Sequence, residues 1–175
     1  MYNTNDISAI KEFMLSHNQT VAVAESVTSG HLQAALSLAA SASGFFQGGI
    51  TTYNLGQKAR HLHIDPIHAT TCNSVSQTVS DEMARHATTL FSSDWSIAIT
   101  GYASPFPDLH IEQLFAFYSI AFSGEIVRRG RIDSDNDGPL QVQCYYTNQV
   151  LRAFLDTLRG KFEAPVALQT EKAKV

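Results

Sequence analysis

The segment SASGFFQGGITTYNLGQK, residues 41–58, brings together a loop serine (Ser43), a tyrosine at the end of an expected strand (Tyr53) and an isolated lysine (Lys58). A serine hydroxyl is a useful nucleophile only when a base takes its proton. A lysine can be that base when desolvation lowers its pKa towards neutrality, and a tyrosine can relay a proton or hold the substrate. Spacing alone does not bring the three into contact, because they fall on different elements. A lone lysine is also an ordinary surface solubiliser.

A second stretch with chemical potential is AESVTSG, Ala24 to Gly30, directly behind the apolar run TVAVA. A buried strand followed by a Ser/Thr/Gly turn and a helix exposes backbone N–H groups that suit a phosphate or an oxyanion. Thr28, Ser29, Gly30 and His31 are the candidate donors, with Ser26 and Thr28 adding hydroxyls. The same residues read as a plain helix cap by Thr28 or Ser29, the commoner arrangement. The turn is neither a G-x-G-x-x-G dinucleotide loop nor a Walker loop ending in Gly-Lys, which excludes a standard P-loop NTPase.

These residues must be positioned by a chain of 175 residues, enough for one domain with a sizeable core. Charged residues make up 16%, below the usual ~25%, so part of the exterior is expected to be covered by another subunit or the core to be large. A net charge of −4 argues against nucleic acid as a partner. Lys11 is the only Lys or Arg ahead of Lys58, and no further lysine follows until Lys161. The N-terminus lacks a basic segment followed by an apolar core, and no run approaches the ~20 apolar residues of a membrane span. A cytoplasmic protein without a membrane partner is the expectation.

Periodicity predicts a helix over 5–17, a buried strand over Thr20–Glu25, a helix over Ser29–Ala40 and a strand over Ile50–Tyr53. A short helix over Leu55–Leu62, a turn at Ile64–Pro66 and a longer helix from Ser76 to Phe91 follow. Strands are expected at Trp95–Thr100, Leu114–Phe122 and Glu125–Ile132, the last two joined by a Ser123-Gly124 hairpin, before a helix over Leu140–Leu158. This order predicts an α/β three-layer sandwich, a mixed sheet between helix layers. Residues 1–160 read as a single domain and 161–175 as a flexible tail.

Metal chemistry has little to recommend it. His61 and His63 are spaced i,i+2, which points them to different helix faces. No H-x-x-x-H pair exists, and Cys72 and Cys144 form no zinc pattern. The acidic run Asp133 to Gly138 opens like a calcium loop but lacks the acidic residue needed at its twelfth position, and reads as a solvated loop.

Taken in order, Glu25-Ser26-Val27-Thr28-Ser29-Gly30, then Ser41-Ala42-Ser43, Phe46, Gly49, Tyr53 and Lys58, then Val75-Ser76 and Thr100-Gly101-Tyr102-Ala103-Ser104-Pro105, resemble the CinA C-terminal domain family, also called nicotinamide-nucleotide amidases. The likeness runs over about residues 5–158. It implies a compact α/β/α sandwich, commonly a homo-oligomer, that hydrolyses the carboxamide of nicotinamide mononucleotide to nicotinate mononucleotide and ammonia, a step of pyridine-nucleotide metabolism. It implies Ser43, Tyr53 and Lys58 as catalytic residues: Ser43 attacks, Lys58 is the base and Tyr53 assists proton transfer. It implies Glu25, Ser26, Thr28, Ser29, Gly30, Thr100 and Gly101 as substrate-binding walls, with turn amides stabilising the oxyanion. Neither metal nor cofactor is required, and the expected partner is a small mononucleotide.

Several positions depart from the family pattern. Ser29 replaces a turn glycine, Phe106, Pro107 and Asp108 fill a glycine-rich loop, and Phe117 stands where a threonine is expected. A G-D-R before the last helix, and an arginine within it, have no counterpart in residues 135–149, which contain no Lys or Arg. Two readings follow: an amidohydrolase of altered specificity, or a paralogue that has lost turnover and keeps a nucleotide-binding or protein-interaction role.

Overall fold

A computed structural model describes residues 1–136 and 138–162. Among them, β1 (Val21–Glu25), β2 (Phe46–Thr51), β3 (Trp95–Gly101), β4 (Leu114–Phe122) and β5 (Glu125–Ser134) form one sheet in the order β2-β1-β3-β4-β5. β1 runs parallel to β2 and β3, whereas β4 is antiparallel to β3 and β5 to β4. The sheet is therefore mixed, and the fold is the α/β class expected from the sequence.

The helices are α1 (Thr4–Ser16), α2 (His31–Ser37), α3 (Leu55–Leu62), α4 (Pro66–Thr71), α5 (Gln77–Phe91) and α6 (Pro139–Phe162). They divide between two faces because strand side chains alternate. Val21, Val23, Trp95, Ile97 and Ile99 share one apolar cluster with residues of α1, α2 and α6. Ala24, Ala98 and Ala121 share the other with Val79, Met83, Ala84 and Ala87 of α5. The small strand residues on this second face let α5 lie close, where Thr88 donates to Ser96 Oγ at 2.8 Å and Ser96 donates to the Ala84 carbonyl at 2.6 Å.

Differences from the sequence reading have local causes. β2 covers Phe46–Thr51, not Ile50–Tyr53. Its Gly48 and Gly49 weaken the strand signal, but a Cβ at Gly49 would run into the side chains of Val23 and Gln33, so the neighbouring strand and helix impose the glycine. The Ile64–Pro66 turn leads into an unexpected helix, α4, started by the Asp65 cap and by Pro66, whose fixed φ suits a first helical position. α2 is shorter than the expected 29–40, and α6 runs past Leu158 to Phe162. The expected tail thus begins inside α6, and its residues 163–175 lie outside the described residues.

Candidate active site

Three parallel strands, β1, β2 and β3, end at the same edge of the sheet. The chain leaves β1 towards β2 on one side and β3 pairs on the other, so the β1/β3 boundary is a topological switch point, where open α/β sheets form crevices. Ser26, the first residue beyond β1, bridges the boundary by donating its N–H to the Ile99 carbonyl at 3.1 Å. A cavity of about 590 Å³ opens there, lined by Ser26, Val27, Tyr53, Lys58, Thr100, Gly101 and residues of neighbouring loops.

Lys58 comes from α3, which starts at Asn54, whose side chain accepts the Gln57 N–H at 3.0 Å. This cap fixes the helix immediately after β2 and turns Lys58 inward, leaving it 1% exposed. Its Nζ donates to Ser26 Oγ at 2.8 Å and to the Thr52 carbonyl at 2.9 Å. No carboxylate among the described residues pairs with it. Desolvation therefore acts unopposed and lowers the Lys58 pKa to about 8. The arrangement is a hydroxyl in direct contact with an amine that gives up its proton near neutral pH.

Glu25, one residue before Ser26, is buried in a different setting. One carboxylate oxygen accepts Thr28 Oγ1 at 2.6 Å, Gly30 N–H at 3.1 Å and Leu32 N–H at 2.9 Å; the other accepts Gln33 N–H at 2.9 Å. The sequence leaves open whether Glu25 serves the lysine or the turn; it serves the turn and the first turn of α2. The Ser29 N–H is taken by the Ser26 carbonyl and the His31 N–H by the Thr28 carbonyl. The donors expected to meet a ligand at Ser29, Gly30 and His31 are thus consumed internally.

The sequence-predicted residues separate accordingly. Lys58 and Tyr53 both line the cavity, Tyr53 at its exposed rim. Ser43 does not join them. It lies in an exposed 3-10 turn, Ala42–Gly44, just before β2, packed near Leu15 at the end of α1. The six residues of β2 separate it from Lys58, roughly 20 Å at ~3.3 Å per residue. The expected Ser43–Lys58 pair is not formed; the hydroxyl in contact with Lys58 is that of Ser26.

Among the expected walls, Ser26, Thr100 and Gly101 line the cavity, while Glu25, Thr28, Ser29 and Gly30 do not. Thr100 is buried and its hydroxyl donates to the Ser74 carbonyl at 2.9 Å, holding the loop ahead of α5. Gly101 is glycine because a Cβ would strike the β4 backbone at Phe115 and Ala116. Sequence reasoning missed Ser26 as the lysine's partner, and missed Gln143 of α6 as a lining residue. The signal for Ser26 was its position at the carboxyl end of a parallel strand, shared with the element that carries Lys58.

Residues 4–113 match the model of the CinA C-terminal domain. The chain belongs to the CinA C-terminal domain family. This CinA-type chain is 37% identical over 99 residues to a CinA-like protein of Picosynechococcus, an alignment covering 57% of the chain and 24% of the relative. It is 35% identical over 102 residues to a putative competence-damage inducible protein of Streptococcus pneumoniae, covering 58% and 24%. The chain spans about a quarter of the length of the curated relatives it matches. Its fold matches the crystal structure of competence damage-inducible protein A from Klebsiella pneumoniae with a TM-score of 0.83 at 22% identity, covering 90% of this chain and 98% of that one. A CinA superfamily protein from Escherichia coli matches with a TM-score of 0.79 at 25% identity, covering 86% and 87%. No helix among the described residues is long and apolar enough to cross a membrane.

Proposed function

We propose that this CinA-type chain is a serine–lysine carboxamide hydrolase in which Ser26 is the nucleophile and Lys58 the base, acting on a nicotinamide-type amide. The observation that carries the reading is the 2.8 Å contact between Ser26 Oγ and the desolvated Lys58 Nζ. With a pKa of about 8, about a tenth of Lys58 is neutral at pH 7, enough to act as a general base.

Neutral Lys58 takes the Ser26 proton as Oγ attacks the carboxamide carbon, forming a tetrahedral oxyanion. The Lys58 ammonium then returns the proton to the amide nitrogen as the C–N bond breaks, so that the NH2 group leaves as ammonia and an acyl-serine remains. Water, deprotonated by Lys58, hydrolyses the ester to the carboxylate and regenerates Ser26. With the amides of residues 29–33 occupied and Thr28 outside the cavity lining, the oxyanion donor falls to the Val27 N–H, directly after the nucleophile, which makes no hydrogen bond among the described residues. Tyr53 at the rim holds the amide or relays its proton.

The test follows ammonia and acid product from nicotinamide mononucleotide and its dephosphorylated riboside. Ser26→Ala and Lys58→Met are expected to abolish release, and Ser43→Ala to leave it within about twofold of wild type. Loss on Ser43→Ala with retention on Ser26→Ala would reverse the assignment. Absence of ammonia from both compounds would favour the paralogue without turnover.

A further inference from the structure

The cavity's surroundings carry information about the charge of what enters it. Among the described lining residues, Lys58 is the one positively charged side chain, and its Nζ is engaged by Ser26 and Thr52. A phosphate is ordinarily met by free guanidinium or ammonium groups, or by unpaired N–H groups at a helix N-terminus. Side chains take up part of the N–H groups of three helices that start near this edge: Glu25 accepts three at α2, Asn54 the Gln57 N–H of α3, and Ser76 the Val79 N–H of α5 at 3.2 Å. α6 meets the cavity at Pro139, which has no N–H to offer an anion.

Beside this cavity lies a second one of about 550 Å³, sharing Ala103, Ser104, Pro105 and Pro139 with it. Its walls include Glu112 and Asp135. A phosphate extending from the first cavity into the second would approach two carboxylates, which repel it. The rim, by contrast, offers aromatic faces. Tyr53, Tyr102 and Phe106 line it, and the Tyr102 and Phe106 rings lie nearly parallel, 23° apart in plane with centroids separated by 6.4 Å. Such faces attract a planar cationic ring.

We propose that the substrate is a phosphate-free planar carboxamide, neutral or positively charged away from the amide, with the aromatic rim holding its ring and the acidic side cavity rejecting an anionic extension. This rests on the hydrolase reading for the chemistry and on the cavity's charge for the selection. The test compares nicotinamide mononucleotide with nicotinamide riboside, which share the carboxamide and pyridinium ring and differ by the phosphate. With the full chain, kcat/KM for ammonia release is expected to be at least tenfold higher for the riboside. In calorimetric titration, the Ser26→Ala variant is expected to bind the riboside at least tenfold more tightly than the nucleotide. Equal treatment of the two compounds, or preference for the nucleotide, in either measurement overturns the proposal. Ammonia from neither compound removes the hydrolase reading alone, since the binding ratio still decides the charge preference. Failure of both compounds to bind Ser26→Ala and wild type at millimolar concentration also overturns it.

Discussion

Glu25 and Lys58 are both buried charged residues at the sheet edge where β1 and β2 end, and their surroundings differ in kind. Glu25 receives four donors, three of them backbone N–H groups from the turn before α2 and that helix's first turn. Its charge is matched by oriented dipoles at a helix N-terminus, a stabilising arrangement. Lys58 receives a hydroxyl oxygen and a carbonyl, both neutral, and no ion-pair partner among the described residues. A buried charge that is fully met holds structure together; one that is only half met keeps a shifted pKa and stays reactive.

The sharpest way to break this comparison is Lys58→Met. Ammonia release should fall on the order of a thousandfold or more, as expected when a general base is removed. The same variant should be more stable than wild type at pH 7, by about 1–2 kcal/mol in denaturant unfolding, because a desolvated ammonium is replaced by an apolar chain of similar length. Lower stability would mean that the lysine is structural like Glu25.

Glu25→Gln should act in the opposite sense, destabilising by about 3 kcal/mol, because the amide nitrogen faces N–H groups that need an acceptor. Chemical denaturation would register this as a lower midpoint with an unchanged slope. A change under about 0.5 kcal/mol would remove the distinction drawn between the two residues.

The pH dependence sharpens the contrast further. The folded Lys58 pKa of about 8 lies below its ordinary value of 10.5, so between these values the unfolded chain binds more protons than the native one. The desolvation penalty is therefore fully present below pH 8 and is relieved as pH rises towards 10.5. Relative to Lys58→Met, wild-type stability should increase over that window by up to about 3 kcal/mol. Hydrolysis should climb with pH and level off above a midpoint near 8. A flat stability difference, or a rate profile centred near pH 6, would assign the titration elsewhere.

The smallest effect concerns the turn between the two charges. Ser29 holds a φ of +50°, the left-handed region that disfavours a side chain. Ser29→Gly should raise stability by about 0.5–1 kcal/mol while leaving ammonia release within about twofold, since Ser29 does not line the cavity. A large change in rate would place the turn in contact with substrate after all.

Much of the fold is legible in the chain. The valine-rich run at Val21–Glu25, the period in α5 and the Ser123-Gly124 hairpin mark their elements because each signal is local. β2 is less legible: the reason for Gly49 lies in Val23 and Gln33, on a neighbouring strand and helix. The site was half legible. Lys58 stood out as an isolated lysine in a weakly charged region, and Tyr53 followed from its place near a strand end. Which serine touches the lysine was not legible, since Ser26 and Ser43 both occupy plausible turns and sequence distance favours Ser43, whereas the contact is made by Ser26.

By itself the sequence determined the α/β class and the family, and singled out Lys58 as an isolated lysine, because composition, periodicity and motif order survive without coordinates. Only the tertiary structure decided which serine meets that lysine. β2 carries the chain from one end of the sheet to the other, so Ser43 and Lys58 are close in sequence and far apart in space. Parallel pairing of β1 with β2 brings Ser26 to the edge where α3 begins. There burial sets the lysine's proton affinity, and the amides of the turn and of the start of α2 are spent on Glu25 and on the turn's own carbonyls.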